Sequence, residues 1–182
     1  FIQTQFPGEI RFKKEFVNIG SFDIETEYGD GFPDADNPTN RILTVAYKSS
    51  KEDFYRVWGM KPYDAEESEL DLKTEYKQFD NEEGMLLDFI DFWSDPENTP
   101  DVITGWNTEF FDIPYLINRV TNVLGEDRAK EFSPWGLIST RTVFSHGRNQ
   151  QVYDITGVAN LDYLQLYRKF TYTNQESYAL NH

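Results

Sequence analysis

The 182-residue chain is long enough to bury one full core and short for two. It contains no cysteine, which excludes disulfides, zinc–thiolate centres and thiol nucleophiles, and no uncharged apolar run long enough to cross a bilayer. Its 17 basic against 32 acidic residues leave a net charge of −15. That is the opposite sign to the basic footprint of a self-sufficient nucleic-acid binder, and it suits a metal-dependent site or one piece of a larger machine.

No basic, apolar leader opens the sequence, so a cytoplasmic setting is expected, and both ends read as cuts in a longer chain. Residues 1–16 (FIQTQFPGEIRFKKEF) read as a connector or edge segment from a preceding domain, and 17–182 as one domain. The stretch 17–26 (VNIGSFDIET) reads as a central strand, and 29–38 (GDGFPDADNP) has the Gly, Pro and Asp of a loop. Residues 41–48 and 53–58 are β-rich runs joined by a short polar link, which is a hairpin pattern. Residues 61–77 are charged without clear period and read as a surface insertion.

From 79 to 93 the period becomes helical. Asp80 is the expected N-cap, with Glu83 three residues on, and Met85, Leu86, Phe89, Ile90 and Trp93 form the apolar face. Pro96 and Pro100 end it, and 101–106 (DVITGW) is a short buried strand. A second helix runs to Leu124 with Pro114 in its first turn and Gly125 as its stop. Within the irregular stretch 133–157, residues 141–155 form two strands around a polar tip. Residues 161–170 close as a helix with Leu161, Leu164 and Tyr167 or Arg168 on one side. This order is mixed α/β, with helices packed on a sheet whose strand ends would gather a site.

Period-two alternation places Asp23 and Glu25 on one strand face and Phe22 and Ile24 on the other. Two carboxylates this close repel, and burial makes each costlier, whereas a divalent cation with oxygen ligands offsets both penalties. An acid pair on a strand face already in water is the plainer alternative. Asp112 ends T104–D112 (TGWNTEFFD), where a buried strand turns into a helix, so it is either that helix's N-cap or a ligand. Asn107 reads equally as a turn residue, and at both positions the structural and the functional role are compatible. A calcium loop at 34–37 (DADN) is excluded because Pro38 and Thr39 stand where an oxygen ligand and a glycine are required.

The stretches 22–25 (FDIE) and 107–112 (NTEFFD) resemble the first two exonuclease motifs, D-x-E and N-x-x-x-[FY]-D, of the 3′→5′ proofreading domain of family B DNA polymerases. Asp30 to Pro33, 79–82 (FDNE), 104–107 (TGWN), 111–115 (FDIPY), Asn118–Arg119, Phe132 to Pro134, 161–163 (LDY) and Phe170 with Thr173-Asn174-Gln175 are similar to the T-even-like phage branch, over nearly the whole chain. The resemblance implies a ribonuclease H-like mixed β-sheet flanked by helices, with an inserted β-hairpin.

It also implies two Mg²⁺ or Mn²⁺ ions held by Asp23, Glu25 and Asp112. In the family pattern Asp23 bridges both ions, Glu25 serves the ion that activates water, and Asp112 the leaving-group side. Neither His146 nor His182 is then needed as a base. The family's third motif, Y-x-x-x-D, is expected beyond residue 182, since 153–154 (YD) and 172–176 (YTNQE) match it poorly. The 182-residue piece is therefore expected to be weak or inactive alone.

Phe32 matches an aromatic that stacks on bases near a frayed primer end, and Asn107 and Phe111 match positions along the single-strand path. Arg148, near the hairpin tip, matches a phosphate contact. The alternatives are a core phenylalanine, a turn residue and an ordinary surface hairpin. Implied partners are the single-stranded 3′ end of primer DNA, the remainder of a polymerase chain and, through other domains, a sliding clamp, with no membrane. Two other functions stay open: a non-catalytic ribonuclease H-like interaction module, and a different ribonuclease H-like nuclease, such as one acting on RNA.

Overall fold

The computed structural model describes residues 13–29, 31–64, 72–145, 147–171, 175 and 177–179. The expectations that fall on Asp30, His146, His182, Thr173-Asn174, Glu176 and most of 1–16 lie outside them. After a single 3₁₀ turn at Lys14–Phe16 comes β1 (Ile19–Thr26), then β2 (Ile42–Ser49), β3 (Tyr55–Gly59) and β4 (Thr74–Gln78). Helix α1 (Glu82–Ser94) leads to β5 (Val102–Thr104), α2 (Asp112–Leu124) and the short α3 (Glu126–Ala129). β6 (Ile138–Ser145) and β7 (Arg148–Ile155) form a separate antiparallel hairpin, and β8 (Ala159–Asn160) precedes α4 (Tyr163–Phe170).

The main sheet has six strands in the order β4-β3-β2-β1-β5-β8. β1, β2 and β3 pair antiparallel, while β4 on β3, β5 on β1 and β8 on β5 are parallel. This is the mixed α/β sheet with a hairpin apart from it that the sequence led us to expect. No helix among the described residues is long and apolar enough to cross a membrane.

Alternation along β1 decides which face is core. Phe22 and Ile24 are buried, as are Val45 and Tyr47 of β2 and Trp58 of β3, and all pack against α1 and α2. Met85, Leu86, Phe89, Ile90 and Trp93, five positions at helical spacing, form the buried face of α1. Trp93 is its centre: its ring lies 5.4 Å from Phe132 and 6.3 Å from both Phe22 and Tyr47, and its indole N–H donates to the Phe132 carbonyl at 2.9 Å. Edge and tilted ring pairs of this kind add to what burial alone contributes.

Four details differ from expectation. The supposed insertion at 61–77 contains an edge strand, β4, whose charged residues suit a sheet edge that must not pair further. The N-cap of α1 is Asn81, which accepts from Gly84 N–H at 2.8 Å, not Asp80. β8, only two residues long, extends the sheet past β5. Leu161 lies before α4 and is exposed, because Asp162 caps that helix one residue later, leaving Leu164 as its buried residue.

One ion pair ties the layers together. Glu82, buried at the start of α1, takes two bonds from Arg119 of α2, at 2.7 and 2.9 Å, and accepts from Ile42 N–H of β2 at 2.7 Å. Arg119 also donates to the carbonyls of Pro38 and Thr39, both at 3.2 Å. Removing one partner of such a pair strands a buried charge, which costs about 3–5 kcal/mol. Arg119→Leu should lower the unfolding free energy by about that amount, and adding Glu82→Gln to it should recover part of the loss. Chemical denaturation of the single and double variants checks both outcomes.

Candidate functional site

The two acids of β1 stand on the face away from the helices, opposite the buried Phe22 and Ile24. What sets them apart from a decorated surface strand is Asp112. β5 pairs with β1 only from Ile19 to Ser21, and the chain turns away after Thr104. Beyond that point the N–H of Ile24 has no strand partner on this side, and Asp112 Oδ1 accepts it at 3.1 Å. A helix residue thus continues the ladder where β5 stops, between the positions of Asp23 and Glu25. Asp112 is the first residue of α2 and does not cap it: Phe111 holds the N-cap position without a side-chain bond.

Asp112 is 3% exposed. Burial is the main reason its carboxyl is pushed up from 3.8 to about 7, followed by the negative charge of Asp23. The bonds from Ile24 N–H and its own N–H pull the other way, and Asp162 adds a smaller upward push. Asp23 is open to solvent as a residue, yet enough protein surrounds its carboxylate that desolvation raises it too. Among the described residues, no ion pair involves Asp23, Glu25 or Asp112; the arginines nearby go to Glu27, Glu82, Glu109 and Asp154. Nor, among the described residues, do three His, Cys, Asp or Glu side chains approach closely enough to form a ready-made metal cluster. The donor set nevertheless suits a divalent ion: hard carboxylate oxygens, one deeply buried, electrostatically coupled and without a cationic partner.

The segment from β5 to α2 has its own constraints. A side chain at Gly105 would meet the Phe22 carbonyl oxygen at 2.6 Å, so only glycine lets the chain leave β5 this close to β1. Asn107 follows with φ +67°, the left-handed region that non-glycine residues seldom occupy. Thr108, fully buried, accepts Ile113 N–H on its carbonyl at 3.0 Å and so starts α2. Glu109 is held from the hairpin by Arg141 at 2.8 Å, which also pairs with Asp154.

Phe32, Asn107, Phe111 and Arg148 all line one groove of about 410 Å³, whose lining includes Phe111, the residue before Asp112, but none of Asp23, Glu25 and Asp112 themselves. Phe32 is 84% exposed, with its ring 5.4 Å from that of Phe111, which in turn lies 5.5 Å from Tyr115. It is therefore not tucked into the core. Arg148 starts β7 and reaches Gln150 at 3.4 Å. Trp106 and Arg168 line the same groove and were not picked out from sequence, although the aromatic density of 104–111 could have flagged the first. Asp162 was missed as well. It is 4% exposed and bonds backbone N–H groups of both α4 and the Asn107 loop.

Comparison with known proteins fits this geometry. The family described as DNA polymerase family B, exonuclease domain, matches residues 5–182. The DNA-directed DNA polymerase of Escherichia phage RB69 is 31% identical over 203 residues, covering 100% of this chain and 22% of that protein. That of Enterobacteria phage T4 is 33% identical over 201 residues, covering 99% and 22%. The DNA polymerase delta catalytic subunit of Candida albicans is 30% identical over 175 residues, covering 91% and 16%. The chain thus spans no more than 22% of the length of these relatives, and it belongs to the exonuclease domain of the family B DNA polymerases.

Proposed function

We propose that this chain hydrolyses the 3′-terminal nucleotide of mispaired primer DNA, as the proofreading unit of a replicative polymerase. Water adds to the terminal phosphorus, the bond to the neighbouring 3′ oxygen breaks, and a nucleoside 5′-monophosphate leaves a shortened strand with a free 3′ hydroxyl. The observation that supports it most is Asp112. Its buried carboxylate is fixed against Ile24, within the field of Asp23, and the residue before it, Phe111, lines a groove that also holds Phe32 and Arg148.

Exonuclease domains of this family depend on divalent metal. Asp23, Glu25 and Asp112 would hold Mg²⁺ or Mn²⁺, whose chemistry is to lower the pKa of a bound water and stabilise the attacking and leaving oxygens. With its carboxyl near 7, Asp112 keeps a proton for part of the time at neutral pH and surrenders it when it serves as a ligand. Phe32 and Phe111 offer faces on which any base can stack, each worth about 1–3 kcal/mol without regard to sequence. Asn107 presents its amide beside the terminal nucleotide, and Arg148 a charge for a phosphate. The −15 charge supports a reading in which other parts of the polymerase deliver the DNA. On the same reading other domains engage a sliding clamp and the setting is cytoplasmic.

In the full polymerase, Asp23→Ala should leave polymerisation intact and reduce Mg²⁺-dependent removal of a mismatched terminus by more than about 100-fold, beyond the usual cost of losing an outer-shell partner. A primer-degradation assay decides it, and an RNA oligonucleotide run beside the DNA tests the RNA-directed alternative.

A second expectation concerns stability without metal. Asp112 binds its proton more tightly folded than unfolded, so the folded state loses stability as pH rises from about 4 to about 7. Asp112→Asn keeps an oxygen for Ile24 N–H and removes the titration. Its unfolding free energy should match wild type near pH 4 and exceed it at pH 8 by roughly 4 kcal/mol at most, as chemical denaturation at the two pH values would show. Mn²⁺ at pH 8 should stabilise wild type and not the variant. No response of wild type to Mn²⁺ would favour the non-catalytic module.

A further inference from the structure

Asp162 does more than its position before α4 requires. As an N-cap it needs only to accept from Leu164 and Gln165, which it does through Oδ1 at 2.8 and 3.3 Å. The same oxygen also accepts from Asn107 N–H at 3.2 Å, and Oδ2 accepts from Glu109 N–H at 2.9 Å. These last two bonds span more than fifty residues and reach the loop that carries Asn107 and runs into Asp112. The loop needs an external hold, since Asn107 sits at φ +67°, where a non-glycine backbone is strained and persists only if its surroundings enforce it. A carboxylate satisfied by four backbone N–H groups is a rigid, fully compensated fixture even when buried.

We propose that Asp162 is a positioning residue for the exonuclease reaction: it clamps the turn at Asn107, and through it the Asn107 amide and the start of α2, to the first turn of α4. This rests on the nuclease reading given above. The clamp does not touch the substrate; it fixes the residues that do, and outer-shell partners of this kind are worth about 10- to 100-fold in rate. A second tie, Tyr163 N–H to the Gly105 carbonyl at 2.8 Å, keeps the two segments adjacent when the carboxylate is changed.

Asp162→Ser separates clamp from cap, because serine is a good N-cap yet its single, shorter oxygen cannot serve Asn107 and Glu109 as well. In the full polymerase, with single-stranded DNA and Mg²⁺, kcat should fall about 10- to 100-fold while KM changes less than about threefold. The melting temperature should stay near that of wild type, and hydrogen exchange at the Asn107 and Glu109 amides should accelerate. Asp162→Asn provides a second variant of the same shape, with Nδ2 as a donor where Oδ2 accepted from Glu109, and the same loss of kcat is expected. Wild-type kcat in either folded variant, or unprotected Asn107 and Glu109 amides in the wild-type protein itself, would overturn the clamp. A wild-type full-length polymerase that degrades no single-stranded DNA would instead refute the nuclease reading beneath it.

Discussion

The site depends on one bond between elements far apart in sequence, from Ile24 N–H of β1 to Asp112 Oδ1 of α2. It exists because β5 is only three residues long. A β5 extended by three residues would come into register with Ile24 itself and leave Asp112 no place on the strand. The short strand is enforced in turn by Gly105, the residue type that lets the chain swing away across the Phe22 carbonyl. From that turn follow the start of α2, the burial of Asp112 and its proximity to the charge of Asp23. The acid's unusual protonation is therefore a consequence of sheet geometry more than of any specific polar partner.

Among the described residues three buried acids are treated in three ways, and the contrast bears on the chemistry. Glu82 is neutralised by a two-pronged arginine and a backbone N–H. Asp162 has no cationic partner among the described residues, yet four backbone donors converge on it. Asp112, the least exposed of the three, has the N–H of Ile24 and its own, and beside it stands a second carboxylate. A fold that compensates two buried charges so thoroughly could have compensated the third. Leaving it short of positive charge costs stability at neutral pH, which is tolerable if a cation completes the site and puzzling otherwise.

What was legible in the sequence was whatever depends on local period. The alternation around Asp23 and Glu25, the five apolar positions of α1 and the glycine stop of α2 each report a face or an end that a few neighbouring residues determine. The hairpin β6–β7 was legible too, though its first strand begins at Ile138, three residues earlier than its β-rich core suggested. β4 was not, because Thr74–Gln78 gain their strand character from pairing with β3 and carry the charges of an edge. β8 is too short for any periodicity. The cap of α1 moved by one residue because Asn81 and Asp80 are chemically near-equivalent in sequence and only backbone geometry separates them. Asp112 could be read as cap or ligand, but its bond to Ile24 could not be read at all, since it follows from the length of a different strand.

The acidic balance of the chain fixes how such a site can hold DNA. Arg41, Arg56, Arg119, Arg128 and Arg141 are already committed to carboxylates of the same chain. With a net charge of −15, long-range attraction of a polyanion such as duplex DNA to this chain is correspondingly weak. The groove offers ring faces instead, at Phe32 and Phe111, which act only at contact range and discriminate little among bases. If the proposed function holds, a site built that way would engage a strand end only once it is unpaired and brought close, since a stacked, paired base has no free face to give. On the proposed function this is the selectivity that proofreading requires: the repulsive surface keeps correctly paired primer away, and fraying supplies the bare bases the groove can hold.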